Sequence, residues 1–115
     1  MRDYKKYDTW KIAHELVKEI YVISENFPKS ELFGLTSQIR RASVSIPTNI
    51  AEGSGRSTDK EFARFIEISI GSTNETEYLL LLSCDLGFTS ENDIANLNAK
   101  LNLTRKKLYN LEKNY

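Results

Sequence analysis

His14 is the only histidine and is followed by Glu15. That pair opens the His-Glu-x-x-His pattern, which puts two imidazoles on one helix face around zinc with the glutamate as general base. Position 18 is Lys18, so the pattern stops there, and His14 reads as a helix-surface or interface side chain. Cys84 is the only cysteine and lies in the apolar run Leu79-Leu80-Leu81-Leu82-Ser83-Cys84. It allows no intramolecular disulfide, and with no cation or histidine beside it in sequence it reads as a small buried hydrophobe. Gly53-Ser54-Gly55-Arg56 resembles an anion-binding turn ahead of a helix start. It lacks the lysine and the spacing of a nucleotide loop, and a plain interhelix turn is the simpler reading. Glu75 falls in phase with Phe65, Ile68, Ser72, Leu79 and Leu82. A carboxylate on an apolar stripe needs a cationic partner, and Arg41 or Arg40 is the natural one, a structural ion pair that fixes register. Glu77 reads as solvated or as an interface residue. No paired acid and base, metal-ligand set or activated nucleophile emerges, so neither an enzyme nor a cofactor is expected.

The polar groups with the most informative spacing lie between Gln38 and Gly53. Residues three and four apart share a helix face. Leu35, Ile39, Ala42, Ile46 and Ile50 form an apolar stripe there, and Gln38, Arg41, Ser45, Asn49 and Glu52 form a second line beside it. Asn and Ser favour caps and turns over helix interiors, so a merely solvated face would carry more Lys and Glu. This line is expected to be an interface or a structural polar seam.

Four helices must position these groups. The first is expected over about 8–26, with Asp8 as N-cap, Trp10, Ala13, Val17, Ile20 and Phe27 at helical spacing, and Pro28 ending it. The second covers about 31–52, with Gly34 weakening its first turn and Gly53 and Gly55 supplying a left-handed stop. Pro47 sits inside it, and the unbroken apolar phase predicts one helix kinked near Pro47 rather than two. The third, about 58–86, begins with the capping box Thr58 and Glu61 and closes at Gly87. The fourth, about 90–112, opens with Ser90 and Asp93, and Ile94, Leu97, Leu101, Thr104, Leu108 and Leu111 repeat as a coiled-coil-like seam. No strand pattern appears. Four such helices with short connections predict an all-α chain, one domain over 1–115, folded as an antiparallel up-down-up-down four-helix bundle. Apolar residues beyond one stripe (Ile12, Leu16, Ile23, Leu81, Leu103) leave surface to bury against copies of the chain.

The chain has 115 residues with 16 basic and 16 acidic side chains, so its net charge argues neither for nor against nucleic acid. The distribution says more, because residues 57–95 carry two basic and eight acidic side chains while residues 96–115 carry five and one. In the expected bundle the N-terminus, the turn between the second and third helices and the C-terminus share one end. That end gathers Arg2, Lys5, Lys6, Arg56, Arg105, Lys106, Lys107 and Lys113 with Tyr4, Tyr7, Tyr109 and Tyr115, and the opposite end gathers Glu25, Glu31, Asp85, Glu91 and Asp93. The eight cations are the candidate contacts for phosphates, with tyrosines stacking on unpaired bases. Terminal lysines that only keep helix ends soluble are the competing reading. No leader or membrane segment is read from the sequence, and a reduced cytoplasm is expected.

Along nearly its whole length the chain resembles the four-helix bundle protein family, also called ribosomal-intervening-sequence proteins because members are encoded in insertions within large-subunit ribosomal RNA genes. The residues that carry the resemblance are Phe27-Pro28, Glu31, Gly34-Leu35, Gln38-Ile39-Arg40-Arg41-Ala42, Ser45-Ile46, Asn49-Ile50-Ala51-Glu52-Gly53, Gly71-Ser72, and Glu75 with Glu77. The family's relatives include the accessory variability determinant of diversity-generating retroelements. The resemblance implies a left-handed bundle assembled as a homopentameric ring. In the retroelement relative it implies binding of nucleic acid and of a reverse transcriptase. The expected function is a non-enzymatic, oligomeric accessory or adaptor protein that binds RNA or DNA. The alternative is a protein-interaction scaffold with no nucleic-acid binding. The expected partners are copies of the chain, RNA or DNA, and a reverse transcriptase or another protein, with no membrane.

Overall fold

A computed structural model describes residues 2–115. Among them four helices and two short 3-10 turns form, and no strand. The helices are α1 (Asp8–Ser24), α2 (Leu35–Ser54), α3 (Asp59–Asp85) and α4 (Glu91–Glu112), with the 3-10 turns at Tyr4–Lys6 and Lys29–Glu31.

The two serine/threonine caps work through their hydroxyls. Thr58 Oγ1 accepts from the Glu61 amide at 3.1 Å and Ser90 Oγ from the Asp93 amide at 3.2 Å, each satisfying one of the orphan donors of a first turn. Asp8 does not cap α1. The cap position is Tyr7, which offers no side-chain bond, and Asp8 is the first helical residue, where its charge faces the positive end of the helix dipole. α2 begins four residues later than expected. Pro28 and the 3-10 turn take up the first residues, Gly34 stands at the cap, and the Glu31 carboxylate reaches forward to accept from the Leu35 amide at 3.0 Å. The cap is thus borrowed from a residue outside the helix.

α2 runs unbroken through the buried Pro47 to Ser54. Its end is not the left-handed stop expected of Gly53 and Gly55. Gly53 is helical and buried, and Gly55 has φ −86°. Gly53 is there for closeness: a Cβ built on it would sit 2.6 Å from Phe65 Cβ and 3.1 Å from a Phe62 ring carbon. Gly87, at φ +78°, is the only described residue with positive φ, and it follows α3.

The core gathers Ala13, Leu16 and Ile20 from α1, Ile39, Ile46 and Ile50 from α2, Phe62, Ile66 and Leu80 from α3, and Leu101 and Leu108 from α4. All six residues of the α4 seam are buried. The centre of α3 is narrow and hydroxyl-rich. Thr73 and Thr76 donate to the Ser69 and Ser72 carbonyls one turn back, both at 2.8 Å, while Ser69 Oγ crosses to the Ile46 carbonyl of α2 at 2.9 Å. Every one of those buried hydroxyls is therefore partnered, and small side chains bring α2 and α3 together.

Cross-helix contacts fix which residues face each other. Ser45 meets Ser72 (2.8 Å) and Gly53 meets Phe65 between α2 and α3. Arg40 meets Ser24 and Tyr21 between α2 and α1. Lys100 meets Glu19 (2.6 Å) between α4 and α1, and Arg105 meets Asn74 (2.9 Å) between α4 and α3.

Candidate interaction surface on the second and third helices

The expected line on α2 is a surface feature with an anchored middle. Gln38, Arg41 and Glu52 are exposed, and Ser45 and Asn49 are half-buried. Asn49 Nδ2 donates to the Ser45 carbonyl (2.8 Å) and to Ser45 Oγ (2.9 Å), and Ser45 Oγ is paired with Ser72 Oγ. Ser45 ties α2 to α3 and Asn49 holds Ser45 from one turn on within α2, which explains why Asn and Ser stand where a solvated helix would carry Lys or Glu. Glu52 pairs with Arg56 at 3.3 Å one turn on.

Glu75 is not the buried carboxylate that its phase suggested. The buried centre of α3 follows Phe62, Ile66, Ser69, Thr73, Thr76 and Leu80, and the line Ile68, Glu75, Leu82 is its edge, so Glu75 is exposed. Nor does Arg40 reach it. Arg40 turns to α1, where Nε donates to Ser24 Oγ at 2.8 Å, Nη2 reaches the Tyr21 carbonyl at 3.4 Å and Glu25 at 3.3 Å, and the guanidinium lies over the Tyr21 ring at 4.6 Å. A cation placed on the last carbonyls of α1 is favoured by the helix dipole. The sequence offered no sign of this tie, because nothing at positions 24 and 40 marks them as neighbours.

What does assemble is a groove of about 440 Å³ between α2 and α3, lined by Phe33, Gly34, Ser37, Gln38, Arg41, Ala42, Ser45 and Glu75. Four of the six residues singled out from the α2 line and Glu75 meet there. Neither Arg41 nor Glu75 has an ion-pair partner among the described residues. Phe33 stands at the lip and is 94% exposed, with Ile68 and Tyr78 exposed on α3. Sequence reasoning missed Phe33; its place in the Pro28–Gly34 connection, outside any periodic pattern, hid it.

The termini do meet the α2–α3 turn. Arg2 donates to the Arg56 carbonyl at 2.7 Å and pairs with Asp59, and the Tyr7 and Tyr115 hydroxyls lie 3.3 Å apart. This end is less basic than the list of its cations suggests. Arg2 is spent on Asp59, its side chain only 17% exposed, and Arg56 on Glu52. Arg105 is not at the end at all. It lies seven residues, about 10 Å, before Glu112, hydrogen-bonded to Asn74 and Asn102 with Nη2 3.1 Å from Glu77, and Lys106 and Lys107 follow it directly. Lys5, Lys6, Lys106, Lys107 and Lys113 have no ion-pair partner among the described residues.

Burial, and then the hydrogen bond to Tyr115, pushes the Tyr7 hydroxyl up to about 12. The folded state therefore holds that proton more tightly than the unfolded chain, whose tyrosines ionise near 10. The stability this contributes is whole below pH 10 and disappears as the pH rises from 10 to 12. We predict that thermal melts fall across that window and that Tyr7→Phe flattens the fall; an equal fall in the variant would assign it to other groups. At the other end, burial first and then Glu91, Asp85 and Asp93 push the Cys84 thiol up, so it is a poor nucleophile, half-buried against the core.

Residues 5–110 match the 23S rRNA-intervening sequence protein family. The chain belongs to that family. No curated protein matches it. For this family member the described residues hold no cluster of three or more His, Cys, Asp or Glu placed to bind a metal, and no helix long and apolar enough to cross a membrane.

Proposed function

We propose that this protein is a non-enzymatic scaffold that assembles with copies of itself through the α2–α3 face. The observation that carries the reading is Phe33, almost fully exposed beside a groove that holds Arg41 and Glu75, neither with an ion-pair partner among the described residues. Removing one phenylalanine side chain from water is worth about 1.5–3 kcal/mol. A second copy seated on the groove would cover Phe33 and pair Arg41 of one subunit with Glu75 of the next. A groove facing an identical groove would give a two-fold dimer; a ring needs each groove to take a different part of the next subunit's α2–α3 face, at a rotation that closes. The ring is the homopentamer that the family resemblance implies, built in the cytoplasm from left-handed, antiparallel up-down-up-down bundles whose α2 bends at Pro47. The cross-helix contacts of Ser45 with Ser72 and of Gly53 with Phe65 support the antiparallel order.

The test is the mass in solution by light scattering. Phe33→Asp and Arg41→Glu are each expected to yield smaller species with unchanged helix content. Combining Arg41→Glu with Glu75→Arg is expected to restore assembly, because the pair is reversed and not removed. A wild-type monomer, or an Arg41→Glu variant of unchanged mass, defeats the reading.

A second reading, nucleic-acid binding, is favoured by the five unpaired lysines. It predicts that a labelled RNA binds with an affinity that falls steeply with salt, and that exchanging Lys106 and Lys107 for Glu weakens it. A nucleic-acid-handling enzyme such as a reverse transcriptase would be the protein partner of an adaptor of this kind.

A further inference from the structure

The cations of the terminal end are the sequence's candidates for nucleic acid, yet the aromatic groups best placed to hold a base run from the N-terminal turn along α1. α1 and α2 leave a groove of about 340 Å³ between them, lined by Tyr4, Trp10, His14, Val17, Val44, Pro47, Thr48 and Ala51. Trp10 and His14 lie ring over ring, centroids 5.0 Å apart and planes only 6° off parallel. Tyr4, from the N-terminal 3-10 turn, meets Trp10 edge-on at 5.1 Å. The wall on the α2 side is aliphatic, with the Thr48 hydroxyl as its one polar group. His14 is exposed, so the parallel pair is reachable from solvent.

The rim supplies charge. On α1 Lys11 and Lys18 lie three residues before and four after His14, which places them on its face of the helix just outside the aromatic line. Lys5 Nζ lies 5.8 Å from the Tyr4 ring centre. Among the described residues only Lys18 of these three has an ion-pair partner, Glu15 at 3.6 Å, and both are exposed to solvent, where such a pair is readily exchanged. Flat rings lining a groove and cations beside them are the two components of a single-strand site: bases stack, and phosphates meet the lysines. A duplex keeps its bases stacked on one another and would use only the rim.

We propose that the α1–α2 groove binds single-stranded nucleic acid, with an unpaired base joining the Trp10–His14 stack and Lys5, Lys11 and Lys18 taking the flanking phosphates. The proposal rests on the nucleic-acid reading above and moves its centre from the terminal end to α1. It is independent of assembly, because the groove lies on the α1 side of α2 and the groove of Phe33 and Glu75 on the α3 side.

Trp10 is the only tryptophan, so its fluorescence reports on the site alone. The full chain is titrated with a short unstructured oligoadenylate and with the same strand in duplex, following Trp10 emission and the anisotropy of a labelled strand together. The expected result is saturable quenching by the single strand, with the duplex binding far more weakly. About three phosphate contacts give a log–log salt slope of roughly −2. Trp10→Ala is expected to weaken binding about tenfold or more, the range of one lost base stack. Trp10→Phe keeps a ring in place and should bind nearly as the parent does. Should Trp10→Ala unfold, His14→Ala read through Trp10 emission and Lys11→Glu read by anisotropy carry the same test. A strand that binds without changing Trp10 emission, and as tightly to the variants, overturns this site while leaving the nucleic-acid reading intact at Lys106 and Lys107. No binding even at low salt overturns both.

Discussion

Phe62→Ala is expected to cost about 3–5 kcal/mol, the range for deleting a buried aromatic side chain. Phe62 is fully buried and is the point on which three separate segments converge. The Tyr115 ring stands against it at 4.8 Å and the Tyr7 ring at 5.8 Å, while the Arg2 guanidinium lies over it at 4.8 Å. The N-terminal turn, the first turn of α3 and the C-terminus are therefore held by one ring. Truncation leaves a cavity that backbone collapse cannot fill, since Gly53 of α2 already lies at contact distance from α3. A small domain is stable by about 5–15 kcal/mol in total, so the loss is a large share of it. Urea unfolding should show a lower midpoint with little change in slope. Limited proteolysis should show both termini cut early, ahead of α2 and α3. A loss below about 1 kcal/mol, or termini as protected as in the parent, would mean that the terminal cluster does not pack as described.

That cluster shows where the sequence could and could not be read. The helices were legible because their signals are local: a Ser or Thr three residues before an acidic side chain, a proline after an apolar stripe, a seam at spacing three and four. The α4 seam is buried at all six of its positions because a single helix face decides it. Pairing between helices was less legible. Glu75 sits one notch off the centre of α3, and a stripe read in a window that included Leu79 and Leu82 placed it inward, when the hydroxyls Ser69, Thr73 and Thr76 mark the true centre. Hydroxyl residues count as polar in a periodicity reading, yet Ser69, Thr73 and Thr76 can stand in the core of α3 because each donates to a carbonyl. The charge map failed for a related reason. Lysines and arginines were summed along the chain, while Asp59 and Glu77, which pair with Arg2 and Arg105, are brought in from α3 by the fold, and only the Glu52–Arg56 pair is local. The polar line on α2 was legible as a line. What it faces was not, since Phe33 and the α3 edge are supplied from elsewhere in the chain.

Gly53 and Gly71 give the last expected result, because the same substitution at two helical glycines should act in opposite directions. In a helix interior Gly→Ala ordinarily stabilises by about 0.5–1 kcal/mol, the conformational freedom that glycine loses on folding. Gly71 is exposed in the middle of α3, and a Cβ there meets nothing within 4 Å. Gly71→Ala should show that gain in full. At Gly53 the new Cβ would lie 2.6 Å from Phe65 Cβ. That atom is fixed to the α3 backbone and cannot rotate away, so the two helices must separate. Overpacking of this kind costs about 1–3 kcal/mol and outweighs the helix-propensity gain. Gly53→Ala should therefore lower the urea midpoint where Gly71→Ala raises it. The separation also has a direction. It would loosen the Ser45–Ser72 hydroxyl pair and the Ser69 bond to the Ile46 carbonyl, which hold α2 against α3 beneath the Phe33 groove. If α2–α3 closeness shapes that groove, Gly53→Ala should weaken assembly in proportion to its loss of stability, and Gly71→Ala should leave the stability of each subunit raised. A stabilised Gly53→Ala variant would show that α2 and α3 stand further apart than their glycine demands.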